Sequence, residues 1–192
     1  MLLCQAPALH GQPLPVTAAA GAHALTVPWY PGAVNDRFNP AFLVGAERTL
    51  RQGEHWRLYQ TGNLGFFLHY WWMTGVSLDT GLGVGRGLPL GLQADFRLGV
   101  GYLHYFFRRR ELELRDGEWV ETSGLGRPSL LVPASLLIAY SGPPARPLAV
   151  APFFAVRWGF QALFLEEMPV MSHLQLLVGV RIQRHGLWSG ER

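Results

Sequence analysis

The sequence predicts an all-β fold: an eight-stranded antiparallel up-and-down transmembrane β-barrel. Three observations lead there. Apolar and polar residues alternate in segments of about ten to sixteen residues, where an ordinary strand has about five or six. The apolar side is bulky and aromatic while the polar side is rich in glycine, and the links between segments alternate between compact and long.

The elements follow in chain order. Residues 15 to 27, "PVTAAAGAHALTV", alternate least clearly and form the eighth strand of the set. Phe42, Val44 and Ala46 mark a short one. Trp56, Leu58, Leu64, Phe66 and Leu68 oppose Arg57, Tyr59, Thr61, Asn63 and Gly65. Val76, Leu78, Leu82 and Val84 then oppose Ser77, Asp79, Gly81, Gly83 and Gly85. The clearest case is "GLQADFRLGVGYLHYFF": Leu92, Ala94, Phe96, Leu98, Val100 and Tyr102 point one way, and Gln93, Asp95, Arg97, Gly99 and Gly101 the other. A helix would mix these sets. Leu130, Val132, Ala134, Leu136, Ile138 and Tyr140 continue the pattern. So do Phe154, Val156, Trp158, Phe160 and Phe164 against Ala155, Arg157, Gly159 and Gln161. Leu174, Leu176, Val178, Val180 and Ile182 close the series against Gln175, Gly179, Arg181 and Gln183.

Which side faces outward follows from side-chain size. A soluble barrel keeps its large apolar groups inside and covers its outside with charge. Here the polar face carries glycine and a few charges of both signs, which suits a narrow interior, and the bulky face suits hydrocarbon. A belt of about 25 Å needs about nine to eleven tilted residues per strand, which these segments supply. Closure also removes unpaired backbone groups from lipid, where each costs several kcal/mol. "TLRQGEH" (49 to 55), "RGLPLG" (86 to 91) and "SGPPARP" (141 to 147) read as compact periplasmic turns. "PWYPGAVNDRFN" (28 to 39) and "RRRELELRDGEWVETSGLGR" (108 to 127) read as outer loops, and the links around Met73 and at 166 to 171 as short ones. Eight strands put both termini on the periplasmic side. Tyr70, Trp71, Trp72, Tyr105, Phe106 and Phe107 read as an aromatic girdle at the outer interface.

Composition agrees and excludes several classes. The chain has 192 residues, 49% of them hydrophobic and only 15% charged, with 23 glycines. That is one domain, unusually glycine-rich and uncharged for a water-soluble one. All sixteen cations are arginine, and the net charge of +3 is scattered apart from Arg108, Arg109 and Arg110, so no nucleic-acid partner is expected. Cys4 stands alone, so no internal disulfide can form. No apolar run reaches the length of a transmembrane helix. No His, Cys or carboxylate spacing matches a metal site, and no cofactor is expected. "GLGVGRG" (81 to 87) lacks the Lys-Ser/Thr ending of a phosphate loop; glycine facing a crowded lumen accounts for it better. Residues 1 to 14 read as a signal-peptide remnant, with a small-x-small site at Ala6-Pro7-Ala8, or as a flexible terminus. Residues 15 to 183 form the barrel, and 184 to 192 a tail.

In architecture the segment from about 15 to 183 resembles the small eight-stranded outer-membrane barrels of Gram-negative bacteria. That class contains the OmpA transmembrane domain, OmpX, OmpW and the lipid A deacylase PagL. The stretches "NPAFLVGAE", "LGVGYLH", "GLGRPSLLVPASL" and "LQLLVGVRI" are similar to uncharacterised outer-membrane barrel proteins. The resemblance implies residence in the outer membrane, insertion by its assembly machinery and contact with its lipids, as a monomer. One departure is the ending "QRHGLWSGER", which lacks a terminal aromatic residue; Leu187 and Trp188 are its substitutes for recognition.

The polar interior is the first candidate site. Glu47, Arg57, Asp79, Asp95, Arg97, Arg157, Gln161, Gln175 and Arg181 share the inward parity. A barrel of this size is just wide enough for its side chains to fill, so these groups are expected to pair with one another; the competing reading is a narrow polar conduit. Arg108, Arg109 and Arg110 are candidates for lipopolysaccharide phosphates, or a solvated loop base paired with Glu111 and Glu113. For an acyl-modifying enzyme the candidates are His69, His104, Glu166, Glu167, Ser172 and His173, although adjacency puts Ser172 and His173 on opposite faces. The function expected is therefore structural, or lipid- or ligand-interacting. A lipid A-modifying hydrolase or acyltransferase is the alternative, followed by a soluble lipocalin-like carrier with inverted parity.

Overall fold

The computed structural model describes residues 14–27, 30–34, 38–108, 112–115, 118–121, 126–140, 148–162 and 170–184. Eleven strands appear among them: β1 (Val16–Val27), β2 (Tyr30–Val34), β3 (Pro40–Gln52), β4 (Trp56–Leu68), β5 (Met73–Gly87), β6 (Leu92–Phe107), β7 (Leu112–Arg115), β8 (Glu118–Glu121), β9 (Arg127–Tyr140), β10 (Leu148–Ala162) and β11 (Val170–Arg184). Eight of them, β1, β3, β4, β5, β6, β9, β10 and β11, pair antiparallel in chain order. Pairing of β1 with β11, from Val16 opposite Ile182 to Thr26 opposite Ser172, closes the sheet on itself. The fold is an eight-stranded antiparallel β-barrel. Strand β2 extends β1 at the loop end, and β7 with β8 forms a separate hairpin in the link between β6 and β9.

The alternation dictates which side chains go out. Val44, Leu64, Leu78, Leu98, Leu136, Phe154 and Val178 all stand on the outer wall, Leu78 and Val178 with 62% of their surface bare. Every barrel strand except the alanine-rich β1 presents such a row. The carnivalesque reversal of a soluble protein is physical in origin: only a non-aqueous surround makes an apolar exterior stable.

The strands run past their expected ends. The ladder of β3 and β4 continues to Gln52 opposite Arg57, with a bulge between Thr49 and Arg51, so the 49–55 link shortens to a turn at 53–55. The β5–β6 turn shortens likewise to a 3-10 segment at Pro89–Gly91. Alternation also carries through β6 to its last residue, which corrects the girdle. Tyr105 is wholly buried and Phe107 packs against the interior cluster, while Tyr70, Trp71, Trp72 and Phe106 stay outside. Odd numbering in β6 points inward, and aromatic character does not override it. Phe164 and the 141–147 turn lie outside the described residues.

Candidate functional site

Four strands deliver ionised side chains to the turn-side half of the lumen. Glu47 enters from β3, Arg57 from β4, Asp95 and Arg97 from β6, and Arg181 from β11. Glu47 meets three guanidiniums: Arg97 Nη2 at 2.7 Å, Arg181 Nε at 3.1 Å and Arg57 Nη2 at 3.3 Å. Asp95 accepts from Arg181 Nη2 at 2.5 Å, from Arg57 Nη2 at 3.0 Å and from Gln93 Nε2 at 2.7 Å. Arg97 Nε donates to the Tyr59 hydroxyl at 2.9 Å, and the Arg57 guanidinium lies 4.3 Å from the centre of the Tyr59 ring. Such charge-assisted bonds are the stronger class, and burial raises what is lost if one partner goes.

Two glycines make the convergence possible. In register, Gly85 stands between Arg57 and Asp95, and Gly83 between Tyr59 and Arg97. A Cβ on Gly85 would come within 3.1 Å of Arg57 Nε and 2.8 Å of Gln93 Nε2, and one on Gly83 would strike the Tyr59 ring. The glycine-rich face is therefore space for long side chains from the neighbouring strands. This is a packing role.

Above this cluster, Arg157 Nη2 donates to Asp79 at 2.6 Å and Asn63 Nδ2 donates to the other Asp79 oxygen at 2.8 Å. The gap left at this level is a cavity of about 20 Å³. That holds about one water.

The loop-side half differs in kind. Leu25, Leu43, Phe67, Met73, Leu103, Tyr105, Leu131 and Met171 fill it. Among them sits a buried histidine pair. His173 Nε2 lies 2.8 Å from Gln161 Oε1, which can only accept, so a neutral His173 receives at Nδ1 the His23 Nε2 proton, 3.0 Å away. His23 also stacks on Phe67 with ring centroids 4.1 Å apart, and His69 meets it edge-on at 6.0 Å.

Of the residues expected in one interior network, Glu47, Arg57, Asp95, Arg97 and Arg181 meet directly, and Asp79 with Arg157 forms a second level. Gln161 belongs to the histidine pair instead, because its strand position lies near the loop end of β10. Gln175 is half-buried and stands in register between His23 and Arg157. Sequence reasoning missed His23 and the apolar plug. The signal was available as the inward parity of Leu103, Tyr105, Leu131 and His23, had the apolar residues on the polar face been counted.

Among the described acyl-modifying candidates, His69 and His173 both lie against His23, and Ser172 is buried next to His173 in the chain. His69 and His173 are buried in the lumen, His104 is half-buried on the outer face with the Tyr102 hydroxyl 2.6 Å from its Nδ1, and Glu166 and Glu167 lie outside the described residues. Arg108 is exposed with its guanidinium 5.5 Å from the centre of the Tyr70 ring; Arg109 and Arg110 lie outside the described residues. Arg127, not singled out in the sequence, is exposed at the same end with its guanidinium 5.9 Å from the Phe107 ring.

Comparison with solved structures places this geometry. Neisserial surface protein A superposes with a TM-score of 0.54 at 12% identity, covering 88% of this chain and 96% of that one. This chain has the fold of the small outer-membrane barrels. The outer-membrane enzyme PagL (TM-score 0.47, 11% identity, 86% of this chain and 97% of that one) is also similar. So is Ail, the attachment invasion locus protein of Yersinia pestis (0.44, 10%, 88% and 97%). No protein-family model matches the chain, and no curated protein matches its sequence. The outer-membrane barrel fold is thus established through shape, at identities too low to transfer any activity.

Proposed function

We propose that this chain is an integral outer-membrane protein of a Gram-negative bacterium: a monomeric, non-conducting barrel that meets lipid along its wall and lipopolysaccharide at its loop-side rim. What supports the reading is above all the pairing of an apolar outer wall with a lumen closed by the Glu47, Asp95, Arg57, Arg97 and Arg181 network. A side-chain-filled interior gives no path for solute. At the rim, exposed Arg108 lies over the Tyr70 ring and exposed Arg127 over that of Phe107; guanidiniums suit phosphate there, and exposed Tyr70, Trp71 and Trp72 suit the headgroup boundary.

Four measurements test it. The protein fractionates with outer membranes and migrates differently on gels before and after heating; recovery as a detergent-free soluble protein defeats the reading. In planar bilayers the refolded protein produces no unit conductance, and Arg97→Ala, which leaves the apolar loop-side half in place, loses stability without gaining conductance. Open-channel steps from the unaltered protein replace the scaffold with a conduit. For the rim, Arg108→Gln with Arg127→Gln weakens retention on lipopolysaccharide-containing vesicles but not on phosphatidylcholine vesicles.

A further inference from the structure

At its turn-side mouth the lumen opens into a cavity of about 550 Å³ between the β3–β4 and β5–β6 turns. Arg57 lines it, together with His55, Trp56, Arg86, Pro89 and Gln93 among others. That volume suits a small molecule. Charge says which kind. In the network behind the cavity, Arg57, Arg97 and Arg181 supply three positive groups, and Glu47 and Asp95 two negative ones. One positive charge is left over in a poorly solvated place, where it is costly unless countered.

The excess is presented at the mouth. Arg57 is the most solvent-accessible of the three, with 16% of its side chain exposed against 10% for Arg97 and 4% for Arg181. Its Nη2 serves Asp95 and Glu47, and its Nε is buried without a hydrogen-bond partner, so the accessible part of the group is the outer end of the guanidinium. Glu54, the acidic residue lining the cavity, faces His55 at 3.7 Å. Half-exposed Trp56 adds a flat apolar wall. We propose that this vestibule binds a phosphate group, held by Arg57 with Arg86 at the rim. Guanidinium pairs with phosphate through paired charge-assisted hydrogen bonds. The phosphate belongs either to a soluble solute or to a phospholipid headgroup of the adjoining leaflet. This site is separate from the loop-side rim and does not depend on lipopolysaccharide contact there.

The test uses the full chain refolded in an uncharged detergent. The indole N–H resonance of Trp56, assigned with Trp56→Phe, is followed during titration with inorganic phosphate and, separately, with dihexanoyl phosphatidylglycerol. A saturable shift is expected, weakened roughly tenfold or more in Arg57→Gln and in Arg86→Gln, as for loss of one charge-assisted bond. Saturation by inorganic phosphate identifies a soluble source; saturation by the lipid alone identifies a headgroup. If Arg57→Gln does not refold, Arg86→Gln decides. No saturable shift with either probe, a shift reproduced by sodium chloride at equal ionic strength, or unchanged affinity in the refolded variants overturns the site.

Discussion

The two halves of the lumen solve one problem, filling a narrow barrel, by opposite chemistry. The turn-side half is tied together by five ionised groups, with Leu137, Ala139 and Phe153 packed at their level, and the loop-side half by Leu, Met, Phe and a hydrogen-bonded chain of histidines and glutamine. The difference teaches where single changes hurt. Ionic closure makes each member dependent on the others, because removing one strands the rest in a poor solvent. Apolar closure loses only the contacts and volume of the residue removed.

The largest expected effect is therefore on the turn side. Glu47→Ala leaves three guanidiniums sharing the one Asp95 carboxylate and should cost about 3–5 kcal/mol, measured by denaturant unfolding in lipid vesicles. A loss below about 1 kcal/mol would mean that the network is not what holds this half. Leu103→Ala, in the loop-side plug, should cost about 3 kcal/mol through the cavity it opens. The sharpest contrast comes from replacing the histidine pair jointly. His23→Leu with His173→Leu, joined by Gln161→Leu so that its Oε1 is not stranded, removes donors and acceptors together amid apolar neighbours, so stability should change by only about 1 kcal/mol or less. A loss as large as that of Glu47→Ala would erase the distinction between the halves.

The smallest effect is at the periphery. Leu90, 87% exposed in the β5–β6 turn, sits in the left-handed region at φ 63°. A side chain branched beyond Cβ is disfavoured there by about 1 kcal/mol, and asparagine tolerates it better. Leu90→Asn should raise stability by about 0.5 kcal/mol, read as a shift in the denaturant midpoint. No gain would show that the apolar side chain earns its place through lipid or partner contact at the turn.

Legibility in the sequence followed the period of two. Val76, Leu78, Leu82 and Val84 name their face at once, because every second residue repeats the same solvent. Asp95 and Arg97 are readable as interior for the same reason. Tyr105 was not, since an aromatic residue near a strand end satisfies an interface and a lumen equally until the strand's true end is known. His23 was hidden in an alanine-rich segment whose alternation is shallow.

Parity, strand number and the preference for hydrocarbon outside were determined by the chain alone, because alternation is a local property and needs no partner to be read. Which inward residues touch was decided only by closure. Arg181 lies 134 residues from Glu47 and 86 from Asp95, and they meet because β11 joins β1 at a register that brings the far ends of the sheet across the lumen. The same stagger separates Gln161 from the charged network and sets it beside His173, since height along the barrel axis depends on all eight pairings together.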